Sequence, residues 1–178
     1  MQYRKTIGII GAGITGSLTA LSLSELGYRV VLFDAKERAI RMTSFVNEGK
    51  IHLGLVYIND PTDRSIDTMT KSAVVFRHLL ERWIPSAEFD PMITDGFDYV
   101  VPHDSQLSVP TITKRFAVVE DHLKKAEASA GLTYLGLERD SPLTKRVEIA
   151  SHYNPERIAA CFSTGERSVD PHQIADHL

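Results

Sequence analysis

Six residues, Gly11-Ala12-Gly13-Ile14-Thr15-Gly16, constrain this chain more than any others. They lie between an apolar run at 7–10 and a segment at 17–26 with helical periodicity. Strand, glycine turn and helix in that order are the context in which G-x-G-x-x-G has structural meaning. Gly11 allows a sharp turn. Gly13 leaves room for a pyrophosphate to reach the backbone, and Gly16 lets the helix lie close on the strand. The start of the helix offers unpaired N–H groups and a partial positive charge to phosphates. Ile14 and Thr15 therefore join the three glycines as candidate contacts.

The surrounding residues support the motif. Ala20 extends the small-residue face of the helix, and Gly27 suits the position just past its end. Residues 30–33, Val-Val-Leu-Phe, are too apolar to alternate and read as a second buried strand. Asp34 ends that strand 18 residues after Gly16, where an acidic side chain meets ribose hydroxyls. The expectation is a βαβ unit that binds an adenine dinucleotide. The plainer alternative is a glycine turn in an ordinary βαβ unit without a ligand.

Composition excludes several other classes. A net charge of −3 and the lack of a basic cluster argue against nucleic acid as a partner. The single cysteine, Cys161, cannot form an internal disulfide. It fits a reducing, cytoplasmic setting, and its apolar neighbours suggest a packed thiol. Arg4 and Lys5 before an apolar stretch resemble a signal peptide, but that reading does not explain the glycines. No window approaches the roughly 18 apolar residues of a membrane span. His78, His103, His122, His152, His172 and His177 lack the paired spacing of metal ligands, so no metal site is expected.

Beyond Asp34 the pattern changes to a polar, glycine-punctuated segment at 43–54, suited to wrapping a ligand. Apolar periodicity predicts helices at 64–84, ended by Pro85, and at 115–130, stopped by Gly131. Strands are predicted at 96–101, 132–135, 146–150 and 158–163. The carboxylates Glu88, Asp90 and Asp95 read as a solvated loop. Asp170-Pro171 opens a last helix, with Asp170 as its cap. A nucleotide-binding sheet needs more parallel strands than the first 50 residues supply. The expectation is that the middle of the chain lends two, and that the 178 residues are the front portion of a longer polypeptide. A small complete domain is the alternative.

Three strings together resemble one family. They are GIIGAGITGSLTALSLSELGYRVVLFDA from Gly8, TSFVNEGKIHLG from Thr43 and ERSVDPHQIADHL from Glu166. They are similar to the D-amino-acid oxidase-like, FAD-dependent oxidoreductases. That family includes glycine oxidase, sarcosine oxidase, glycerol-3-phosphate dehydrogenase and 2-hydroxyglutarate dehydrogenase. The resemblance implies an α/β fold, a Rossmann-like FAD/NAD(P)-binding fold with part of an inserted α+β substrate domain. Residues 1–60 would be the N-terminal part of the FAD-binding domain. Residues 61–165 would contribute to its sheet and to the substrate domain, and 166–178 would begin a helix leading into the rest.

Carried onto this chain, the resemblance implies that Gly11, Gly13 and Gly16 hold the FAD pyrophosphate and Asp34 the adenosine ribose. Ala35 would lie near the adenine. Arg41, Thr43 and Ser44 would contact pyrophosphate or ribityl oxygens. Glu48, Gly49, Lys50 and Ile51 would pass the flavin ring with their backbone. His52 follows directly and is the candidate catalytic side chain, either as a cation beside the reduced ring or as a proton acceptor. The expected function is oxidation of a small amino acid or 2-hydroxy acid by hydride transfer to FAD. An NAD-dependent dehydrogenase and a non-catalytic subunit completed by a partner chain are the alternatives. Self-association, or a partner chain, is expected wherever the short sheet leaves apolar surface open.

Overall fold

A computed structural model describes residues 5–151 and 153–178. Arg4 and His152, both weighed above, lie outside the described residues. The elements run β1 (Thr6–Ile10), α1 (Ile14–Glu25), β2 (Arg29–Phe33), α2 (Thr43–Val46), β3 (Lys50–Ile51) and α3 (Arg64–Leu80). They continue as α4 (Ser86–Phe89), β4 (Asp98–Pro102), α5 (Val109–Ala130), β5 (Thr144–Val147), β6 (Ile158–Thr164), β7 (Arg167–Ser168) and α6 (Pro171–His177). They divide into two compact units, residues 1–49, 83–92 and 169–178, and residues 50–82 and 93–168.

The first unit is built on the predicted βαβ unit. β1 and β2 pair in parallel, with Ile7 opposite Val30 and Ile10 opposite Phe33. α1 is the crossover that parallel strands require. Ile40 is buried and docks the following loop onto the glycine turn, its N–H donating to the Ala12 carbonyl at 2.6 Å. Ile40 does so at φ 54°, a left-handed conformation that costs a side-chain-bearing residue about 1–2 kcal/mol. α6 starts as expected: the Asp170 carboxylate accepts from the N–H groups of His172 and Gln173.

The second unit is an antiparallel sheet in the order β4-β6-β5, a β3-β7 pair, and the helices α3 and α5. α5 buries Ile112, Phe116, Val119, Leu123 and Ala126, spaced by threes and fours along one face. Phe116 meets Tyr99 of β4 and Phe162 of β6 edge-to-face, with centroids 5.9 and 5.2 Å apart. Cys161 is buried beside them, and burial pushes its thiol pKa up, in keeping with the packed thiol expected.

Several sequence expectations change. Among the described residues no middle strand joins β1 and β2; β4, β5 and β6 pair only with one another. β4 and β6 pair antiparallel and α5 packs on them through Phe116, so they form a sheet of their own. The strand expected at 132–135 is instead a 3-10 turn, Tyr134–Gly136, because Leu135 adopts φ 54° and breaks extended geometry. α5 begins six residues before the expected 115, where Ser108 caps the helix and Pro110 occupies its first turn. α3 stops at Leu80 rather than 84. Glu88, Asp90 and Asp95 are exposed as expected, but 86–92 is helical rather than loop and buries Phe89 and Met92.

Candidate functional site

In the first unit the chain leaves β1 and turns at Gly11, whose N–H donates to the Phe33 carbonyl at 2.7 Å. This ties the turn to the end of β2. A Cβ on Gly16 would lie 1.9 Å from the Gly11 carbonyl oxygen, so only glycine permits this approach of helix to turn. Gly13 caps α1 in an extended conformation and brings no capping side chain. The first turn of α1 contains no acidic residue. The Ile14 N–H donates to Ser44 Oγ at 3.3 Å. The N–H groups of Gly13, Thr15 and Gly16 have no protein acceptor among the described residues. These donors, with the helix dipole behind them, make an anion cradle.

Asp34 stands at the tip of β2, exposed. Its Oδ2 accepts from the Ala12 N–H at 2.6 Å and its Oδ1 from the Lys36 N–H at 2.8 Å. These backbone donors, Ala12 foremost, hold its pKa below the ordinary carboxylate value. The ionised carboxylate keeps lone pairs to accept from two hydroxyl groups. Ala35 follows it, exposed. Thr43 is exposed at the start of α2, and Ser44 Oγ faces the cradle, 3.5 Å from where a Gly13 Cβ would stand. Arg41 is placed differently from a free phosphate ligand. It pairs with Asp176 at 2.8 Å and lies over the Phe45 ring, which stacks on His172. Glu48 is exposed. Gly49 has φ 62°, and a Cβ there would stand 1.9 Å from the Val169 carbonyl oxygen.

In the second unit Lys50 and Ile51 form β3, opposite Ser168 and Arg167 of β7. Tyr134 fastens the pair: its hydroxyl donates to the Ile51 carbonyl at 2.7 Å and accepts the Arg167 N–H at 3.0 Å. The Lys50 ammonium lies 5.4 Å from the Phe97 ring centroid. His52 follows. Its Nδ1 is buried 3.5 Å from Oε2 of Glu166, with no hydrogen-bond partner nearer. Its ring meets Tyr57 edge-on.

Glu166 is 0% exposed. Its Oε1 accepts the Leu53 N–H at 2.5 Å and its Oε2 the Tyr99 hydroxyl at 3.2 Å. Burial raises the Glu166 pKa against these donors, and burial likewise raises the Tyr99 pKa. Sequence reasoning gave neither Glu166 nor Tyr99 a role. The only available signal was the placement of Glu166 at the head of its motif string, next to Gly165.

Residues 6–178 match the family model DAO, FAD dependent oxidoreductase. The chain belongs to this family. Among solved structures, dithionite-reduced L-α-glycerophosphate oxidase from Mycoplasma pneumoniae with FAD bound is similar over 99% of this chain, at 16% identity and a TM-score of 0.54. That likeness shows the fold, α/β and Rossmann-like. This DAO-family chain spans 41% of the length of that oxidase. No curated protein sequence matches it. Among the described residues no helix is long and apolar enough to cross a membrane.

Proposed function

We propose that this DAO-family chain holds the pyrophosphate and adenosine of FAD on the turn before α1, and serves an oxidoreductase for a small amino acid or 2-hydroxy acid. The observation that carries the reading is the set of unanswered N–H groups at Gly13, Thr15 and Gly16 beside the ionised Asp34. A diphosphate supplies acceptors for the first, and a ribose supplies hydroxyl donors for the second. Gly11 shapes the turn, Ile14 stands among the N–H donors, and Ala35 would lie near the adenine. Thr43 and Ser44 offer hydroxyls to pyrophosphate or ribityl oxygens, and Arg41 adds positive charge even while paired. The backbone of Glu48, Gly49, Lys50 and Ile51 would pass the flavin ring.

Bound FAD would supply the hydride acceptor. The protein's own part is to orient the substrate and to move a proton. His52 takes that proton from the substrate hydroxyl or ammonium at Nε2. The lone, buried Cys161 fits a cytoplasmic setting. The test is to purify the chain, titrate it with FAD and separately with NAD, and assay a panel of small amino and 2-hydroxy acids. FAD binding that quenches flavin fluorescence, with no NAD binding, is the expected outcome. NAD binding without FAD binding would reverse the cofactor assignment.

A further inference from the structure

The second unit spends a buried carboxylate on a histidine. Glu166 has no exposed surface, and its two oxygens already accept from Leu53 N–H and Tyr99 O–H. Both are fixed donors from different elements, the chain after β3 and the strand β4. The next polar atom is Nδ1 of His52, which is buried and has no other partner among the described residues. A buried imidazole nitrogen facing an acceptor-only group carries the hydrogen. The 28% of the His52 side chain that solvent reaches excludes Nδ1.

We propose that Glu166 is a positioning residue for His52. Its carboxylate, held by Leu53 and Tyr99, selects the neutral imidazole with hydrogen on Nδ1 and so leaves the lone pair on Nε2. The claim rests on the reading of His52 as the proton acceptor, and it says how that acceptor is prepared. A neutral imidazole accepts a proton only through the nitrogen that lacks hydrogen. The tautomer, set from the side away from the substrate, decides whether Nε2 works as a base or is idle. Among the described residues nothing else on the second unit performs this task for His52. Tyr57 meets the ring only by its edge, at a centroid distance of 6.4 Å.

Glu166→Gln gives a sharp test because the site dictates how the amide must sit. The Leu53 N–H demands the oxygen at the Oε1 position, so the NH2 group takes the place of Oε2 and points at Nδ1. A donor there favours the opposite tautomer. The measurement is 15N NMR of histidine-labelled chain at a pH where His52 is neutral, with its signals assigned by loss in His52→Gln. In the wild type the Nδ1–H form should predominate, and Glu166→Gln should change the tautomer ratio about tenfold toward Nε2–H. Wild-type His52 in the Nε2–H form, or a ratio unmoved by Glu166→Gln, overturns the proposal. If Glu166→Gln does not fold, the wild-type tautomer decides alone. The result is independent of the functional reading. A chain that binds no FAD while His52 keeps Nδ1–H would sink the function and leave the positioning intact.

Discussion

The two units differ in where their polar and apolar groups go unanswered. In the first, the N–H groups of Gly13, Thr15 and Gly16 have no acceptor among the described residues, and large apolar side chains stand in the open: Ile10 is 93% exposed, Val46 78% and Phe33 57%. In the second, most donors and acceptors close on one another, with His52 Nδ1 and Arg167 Nε the buried exceptions among the described residues. Tyr134 bridges β3 and β7, Arg139 makes a two-pronged bond with Glu127, and Glu166 collects its donors in a site without solvent. On the proposed reading the first unit is shaped for a ligand and the second by its own packing. An element whose geometry is set by a ligand keeps its fold when the contact is spoiled. An element whose geometry is set by packing does not.

That contrast is open to attack, and the largest effect should come from the second unit. Phe116→Ala removes a buried ring from between Tyr99 and Phe162 and should cost about 3–5 kcal/mol, read by denaturant unfolding. In the first unit Gly13→Val adds a side chain where the cradle is open, since a Cβ there meets only Ser44 Oγ at 3.5 Å. FAD affinity should fall about a hundredfold or more while the circular dichroism and melting temperature stay near wild type. If unfolding accompanies the loss, the turn is a packing element and the contrast fails.

Asp34→Ala is expected to weaken FAD about three- to tenfold, by loss of one or two hydrogen bonds to ribose, in the same titration. Ile10→Ser tests the exposed apolar surface. The wild-type chain should self-associate in sedimentation velocity or hold FAD loosely, and the substitution should shift it toward monomer. A monodisperse wild-type monomer with tightly held, stoichiometric flavin would refute the claim that this surface seeks a partner.

The smallest effect concerns Glu166. Its folded pKa is raised, so its carboxyl contributes stability at pH below its unfolded value, and that contribution is lost as pH rises through the folded value. Glu166→Gln carries no charge to bury. Its stability relative to wild type should therefore improve over the pH range above the ordinary carboxylate value. A difference that stays flat across that range would show that His52, Leu53 and Tyr99 fully offset the burial.

Local chemistry was legible in the chain because it acts over a few residues. The glycine turn, the strand ending at Asp34, the Asp170 cap and the Gly131 stop each depend on neighbours in sequence, and each stands in the structure. Pairing between distant strands was not legible. Nothing within residues 96–101 or 158–163 declares that they join each other antiparallel instead of extending the β1-β2 pair. Nor was it legible that Arg41 pairs with Asp176, 135 residues later. The sequence alone thus determined the glycine turn before α1, whose geometry is written in consecutive φ angles and absent side chains. Only the tertiary structure decided that Glu166 stands behind His52, 114 residues away in the chain and 3.5 Å away in space. The physical reason is that a buried carboxylate is tolerated only where long-range folding delivers its donors.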